Sequence, residues 1–139
     1  MKQGGRSISL STKGPGLYDI TRDVAQVLSE VGIAQGLLTC FIRHTSASLL
    51  VQENADPDVL RDLESFMRRL VSPDQHVYEH TTEGPDDMPA HIRSALTQTS
   101  LSIPVRSSQL VLGTWQAIYL FEHRDAAHRR EVIVHVIGE

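Results

Sequence analysis

The chain has 139 residues, 40% of them hydrophobic and 22% charged, the size and balance of a single globular domain spanning 1–139. A formal net charge of −4 excludes a general nucleic-acid binder, which needs a basic footprint, and no apolar run approaches the ~20 residues that cross a bilayer. The first residues lack the apolar core of a signal peptide and the one cysteine, Cys40, can form no internal disulfide, so the expectation is a cytoplasmic protein without a membrane partner.

Arg6 to Ser11 alternates serines with Ile8 and Leu10, the period of a half-buried strand. A turn over 12–16 precedes a helix with Ile20, Val24, Val27, Leu28 and Val31 on one face, capped by Asp19 or Thr21 and closed by Gly32. Gly36 to Arg43 is β-rich and continuously apolar, which predicts a strand covered on both faces. A hydroxyl-rich break, His44 to Ser48, leads to a strand over 49–53. Asp56 then caps a second helix whose apolar face runs Val59, Leu60, Leu63, Phe66, Met67 and Leu70, and Pro73 ends it. A loop from His80 to His91 follows, then a short helix over 90–98 and a strand over 100–105. Residues 110–123 form a strand broken near Gly113, with Gln116, Ile118, Leu120 and Glu122 on one face. Arg130 to Ile137 closes the chain. The expected fold is α+β and sandwich-like, with mixed, mostly antiparallel sheets, two main helices and one short helix.

Chemistry concentrates late in the chain. Residues after Leu70 hold six of the seven histidines and nine of the seventeen carboxylates. The 80–91 loop alone carries His80, Glu83, Asp86, Asp87 and His91, while Gly84, Pro85 and Pro89 forbid regular structure through it. His80 and His91, with His44 from a strand end, are candidate metal ligands, although their spacing matches no local zinc motif and alone favours solvated histidines. Cys40 lies about 13 Å along the strand from His44, too far to share an ion with it. Asp86 and Asp87 suit either Mg²⁺ or helix capping. Thr45 and Ser46 beside Arg43 suit an oxyanion. Gly113 to Gln116 suits either a ring-shaped ligand or a β-bulge with a core tryptophan. Glu122, read as inward, is either an acid–base group or half of an ion pair with Arg124, Arg129 or Arg130.

Five segments in order, His44–Leu50, Glu53–Asp58, Tyr78–His80, Gly84–Ile92 and Leu112–Gln116, together resemble the YjbQ-type family over about residues 7–138. The resemblance implies a homotrimer with sites near subunit boundaries and a secondary thiamine-phosphate synthase activity, joining hydroxymethylpyrimidine diphosphate to thiazole phosphate. It makes His44, His80 and His91 the expected metal or anion site, with Mg²⁺ or a transition ion such as Zn²⁺ as cofactor. It implies Asp86 as a Mg²⁺–diphosphate contact, Arg93 as a phosphate contact and Thr114, Trp115 and Gln116 as contacts to a ring. Read from their own residue types, Glu122 joins Asp86 as an expected catalytic group, and Thr45 and Ser46 join the expected contacts to a small phosphorylated substrate. Two other functions fit the same residues: a His-ligated metal-dependent hydrolase of small phosphorylated or ester metabolites, and a non-catalytic metabolite-binding trimer.

Overall fold

The computed structural model describes residues 1–139. Eight strands form two antiparallel sheets. Strands β1 (Lys2–Ser11), β3 (Gly36–Ile42), β5 (Ser100–Arg106), β6 (Gln109–Leu110) and β8 (Arg129–Gly138) make a five-stranded sheet in the order β1-β8-β3-β5-β6. Strands β2 (Gly16–Asp19), β4 (Ala47–Glu53) and β7 (Gln116–Glu122) make a three-stranded sheet in the order β2-β7-β4. Helices α1 (Thr21–Val31), α2 (Pro57–Leu70) and α3 (Asp87–Leu96) complete the α+β fold. No helix is long and apolar enough to cross a membrane.

One core joins the two sheets. Ile8, Leu38, Cys40, Ile42, Ile103, Val105, Val132, Val134 and Val136 from the large sheet meet Leu49, Ile118 and Leu120 from the small one, with Val24, Val27 and Leu28 of α1 among them. Alternation explains the inward sets, because successive side chains on a strand point to opposite faces. Central strand β7 is buried on both sides after Gln116, since α2 packs over β2 and α3 over β4. Cys40 is a core side chain, and burial pushes its thiol up to about 12.

Strand β3 corrects one expectation. Its continuous apolar run predicted cover on both faces, yet Leu37 is 41% and Phe41 48% exposed while Leu38, Cys40 and Ile42 are buried. Leu37 pairs with Ile137, and Phe41 with Ile133, so an apolar stripe, interrupted by the Thr39–His135 pair, runs across the outer face of the large sheet. No element of the chain lies over it.

The helix ends follow local chemistry. Asp56 accepts a hydrogen bond from the backbone N–H of Asp58 ahead of Pro57, and Gly32 ends α1 in the left-handed conformation at φ 74°. Helix α1 begins after Ile20, with Asp19 accepting from the Thr21 N–H at 2.9 Å. Helix α3 starts at Asp87, three residues before the expected start, and takes Pro89 into its first turn, where a missing N–H costs nothing. Strand β4 likewise starts two residues early, at Ala47. The four-residue strand β2 begins at Gly16, the last residue of the expected 12–16 turn, and its pairing with β7 is a long-range contact invisible locally.

The β5–β6 hairpin closes through Ser107 and Ser108, both left-handed at φ 53° and 62°. Two-residue hairpins with this geometry favour Asn-Gly because L side chains resist positive φ. Replacing the pair by S107N with S108G is expected to stabilise the fold by about 1 kcal/mol, read as a higher Tm. An unchanged or lower Tm would show that the serines bear no strain.

Candidate metal centre

The His80–His91 loop folds back so that His80 meets the first turns of α3. Asp87 and His91 stand four residues apart on that helix and therefore share a face. Asp87 Oδ2 lies 2.7 Å from His80 Nε2 and 3.0 Å from His91 Nε2, and Glu83 Oε2 lies 3.2 Å from His80 Nε2. One ligand atom from each of these four residues falls within 4.8 Å of all the others. Asp87 is buried at the floor of the group, and exposed Glu83 with half-exposed His80 forms its rim.

The tautomer of His91 gives this cluster its direction. Its Nδ1 stands 2.8 Å from the Thr45 carbonyl oxygen, so that nitrogen must carry hydrogen and donate. Nε2 is thereby turned toward Asp87, and a contact between its lone pair and a carboxylate is favourable only with a proton or a cation between them. A ligating histidine characteristically donates its other N–H to a carbonyl or carboxylate, as His91 does. Two imidazoles and two carboxylates make a donor set suited to zinc and similar ions.

Arg124 braces the loop from the far side. Its Nε donates to Asp86 Oδ2 at 2.8 Å and its NH2 to the Glu83 carbonyl at 3.1 Å, while NH1 forms an ion pair with Asp87 Oδ1 at 2.8 Å. Burial pushes the Asp87 carboxyl up, but hydrogen bonding from His80 and the charge of Arg124 hold it below its usual range. Asp86 behaves alike: burial is outweighed by Arg124 and by the Asp125 N–H, 2.9 Å from Oδ2. The hydrogen bond to Asp87 raises His80.

Glu122 is fully buried at the end of β7 and paired with Arg130, one of the two readings its sequence left open. Its Oε1 accepts from Thr12 Oγ1 at 2.7 Å and Arg130 Nε at 2.8 Å. Its Oε2 accepts from Arg130 NH2 at 2.5 Å and from the backbone N–H groups of His123 and Arg124 at 3.0 and 3.2 Å. Burial alone would raise this carboxyl, yet those donors hold it below the usual carboxylate range. Arg130 NH2 also donates to Ser46 Oγ at 3.0 Å.

Other expected site residues lie apart from the cluster. His44 Nε2 accepts the Glu131 N–H at 2.8 Å, which occupies the nitrogen a metal would need, and burial with the charge of Arg130 lowers its pKa. Arg93 is buried and donates to the Met67 and Val71 carbonyls at 3.1 and 3.5 Å, satisfying the end of α2. Thr114, Trp115 and Gln116 sit at the opposite end of β7 from Glu122, about 20 Å along the strand. Gln116 Oε1 accepts the Gly113 N–H at 2.8 Å, the Thr114 carbonyl accepts from Asn54 at 3.2 Å, and Trp115 is 64% exposed.

Glu83 was not among the expected ligands, Asp87 was expected only with Asp86 to suit Mg²⁺ or helix capping, and Arg124 only as a candidate partner of Glu122. The four-residue interval between Asp87 and His91 could have revealed two of the donors, but only for a helix begun at Asp87 instead of Ala90. His123 is a buried partner of Ser48, its Nε2 2.9 Å from Ser48 Oγ.

Comparison with known proteins places the chain in context. The family model described as UPF0047 protein YjbQ-like matches residues 6–139. A UPF0047 protein of Synechocystis is 53% identical over 138 residues, covering 99% of this chain and 94% of that one. The UPF0047 protein YugU of Bacillus subtilis is 36% identical, covering 92% of this chain and 94% of its own. Among solved structures, a hypothetical protein from Aeropyrum pernix superposes with a TM-score of 0.86 at 32% identity, covering 100% of both chains. An uncharacterized YjbQ/UPF0047 protein from Clostridium acetobutylicum gives a TM-score of 0.85 at 34% identity, covering 94% of this chain and 98% of that one.

Burial lowers His123 to about 3. The unfolded chain therefore takes up a proton near pH 6.5 that the folded chain refuses, and stability falls as pH drops from about 6.5 toward 3. The limit for one such group is about 1.4 kcal/mol per pH unit. Denaturant unfolding between pH 7 and 5 is expected to show a steeper acid loss in the wild type than in His123→Gln. Equal slopes would mean that His123 titrates normally in the fold.

Proposed function

The chain belongs to the YjbQ-like UPF0047 family, and on that footing we propose that it is a metal-dependent hydrolase of small phosphorylated or ester metabolites. Its divalent ion is held by His80, Glu83, Asp87 and His91. The observation that carries this reading is the Thr45 carbonyl, which turns the His91 Nε2 lone pair toward the other three donors. Such an ion supplies a Lewis acid for a substrate oxygen and lowers the pKa of a coordinated water toward neutrality. Nitrogen donors favour a transition ion such as Zn²⁺ over Mg²⁺, which takes oxygen ligands and keeps its water.

The chain's own side chains have distinct parts in this reading. Asp87, locked by Arg124, is the fixed floor of the centre. His80 and Glu83, at the rim, border the side from which substrate arrives. Glu122 orders the structure beneath the centre through Arg130 and the Arg124 backbone.

Thiamine-phosphate synthase-like alkyl transfer is the second reading, supported by the family resemblance and by a cationic centre able to meet a diphosphate. It is weakened because the groups offered for that substrate, Asp86 and Arg93, spend their hydrogen bonds within the chain. The homotrimer implied by the resemblance is supported by the uncovered stripe of Leu37, Phe41, Ile133 and Ile137. In such an assembly, an indole at the centre would have to come from a neighbouring copy's Trp115.

Purified without a histidine tag, the protein is expected to carry about one transition ion per subunit, measured by mass spectrometry of metal content. His80→Ala combined with His91→Ala should lose it. A panel of phosphate and carboxylate esters, with the two thiamine precursors alongside, then separates the activities. Turnover of esters that disappears in the double variant supports the hydrolase. Thiamine phosphate formed instead selects the second reading, and ligand-dependent thermal stabilisation without turnover selects the metabolite-binding trimer. Absence of any bound or bindable ion sinks the metal-dependent reading.

A further inference from the structure

Asp87 presents its two oxygens to different surroundings. Oδ2 faces both imidazoles, whereas Oδ1 stands in an ion pair 2.8 Å from Arg124 NH1. The guanidinium that makes this contact is itself held on several sides. Its Nε and NH2 grip Asp86 at 2.8 and 3.4 Å, NH2 also reaches the Glu83 carbonyl, and the Arg124 backbone N–H is bound by Glu122 Oε2 at 3.2 Å. The Asp125 N–H adds a further bond to Asp86. Arg124 comes from the loop after β7, so a separate part of the fold dictates how the loop carboxylates stand.

We propose that Arg124 is a positioning residue that leaves Asp87 one free oxygen and thereby biases the centre toward a small, low-coordinate transition ion over Ca²⁺ and Mg²⁺. This inference rests on reading His80, Glu83, Asp87 and His91 as a metal centre. The physical reason is coordination number. Ca²⁺ takes six to eight oxygens and draws on bidentate carboxylates, and Mg²⁺ demands an octahedron of oxygens and water. Zn²⁺ is satisfied by four nitrogen or oxygen donors. With Oδ1 drawn toward the Arg124 guanidinium, a bidentate ring of Asp87 on the ion is disfavoured. Charge points the same way. Arg124 offsets Asp86, so the negative charge facing an ion is that of Glu83 and Asp87, which matches a divalent cation without excess. Lysine cannot replace this fork, because an ammonium is a point charge that cannot span Asp86, Asp87 and a carbonyl together.

The test uses the full chain stripped with a chelator and titrated with Zn²⁺, Co²⁺, Mg²⁺ and Ca²⁺, wild type beside Arg124→Gln and Arg124→Lys. The visible absorption of Co²⁺ reports coordination number directly, a signature that a merely structural residue would not move. The wild type is expected to give an intense low-coordinate spectrum and to ignore Mg²⁺ and Ca²⁺. Arg124→Gln is expected to lose roughly 10- to 100-fold in Zn²⁺ affinity, the usual cost of removing an outer partner of a ligand. Its Co²⁺ spectrum should weaken toward higher coordination, with Ca²⁺ and Mg²⁺ competing better, and Arg124→Lys should fall between. If Arg124→Gln fails to fold by circular dichroism, Arg124→Lys decides. Folded variants that match the wild type in Zn²⁺ affinity and Co²⁺ spectrum overturn the role of Arg124 while leaving the centre intact. A wild type that binds no transition ion overturns the centre itself, and this inference with it.

Discussion

The ion pair between Glu122 and Arg130 is the contact on which the rest of the site depends. Both side chains are buried, and an isolated charge there would cost several kcal/mol. The penalty is offset because the two carboxylate oxygens receive five donors, from Thr12, Arg130 and two backbone N–H groups. The pair joins the end of β7 in the small sheet to the start of β8 in the large one. It therefore fixes where the connecting loop leaves the core, and that loop carries Arg124 to the carboxylates of the α3 entry.

From this anchor a chain of polar contacts runs outward. Glu122 orients Arg124, Arg124 orients Asp86 and Asp87, and Asp87 orients His80 and His91. A second branch passes from Arg130 to Ser46, whose neighbour Thr45 supplies the carbonyl that sets the His91 tautomer. Both branches meet at α3. Side chains held this way would lose little freedom on meeting an ion, which is the condition for tight and selective binding. The exposed rim, by contrast, rests on Glu83 and His80 alone.

The outer face of the large sheet obeys a different constraint. Leu37, Phe41, Ile133 and Ile137 are as apolar as the core, but nothing in the chain covers them. Apolar area left in water forfeits the stabilisation that burial would bring, about 25 cal/mol per Å². The uniform apolarity of β3 thus reflects two different surroundings: a core made by this chain on one face and an open surface on the other.

Much of the molecule was legible in its residues. Apolar spacing located α1 and α2, Asp56 and Gly32 marked helix ends, and the alternation in β8 separated Arg130, Val132, Val134 and Val136 from their neighbours. These features are local, set by side-chain periodicity and backbone sterics within a few residues. The crowding of His80, Asp87 and His91 into one polar segment was local too, so the site's neighbourhood could be read directly. What only the tertiary structure decided was which atoms meet. His44 looked like a third ligand until the Glu131 N–H claimed its nitrogen, and Arg93 looked like a phosphate contact until it closed the end of α2. Arg124, 37 residues beyond Asp87 in the chain, became the latter's partner only because β7 returns beside β4. Hydrogen bonds between distant segments depend on sheet order and register, and no periodicity within a segment encodes those.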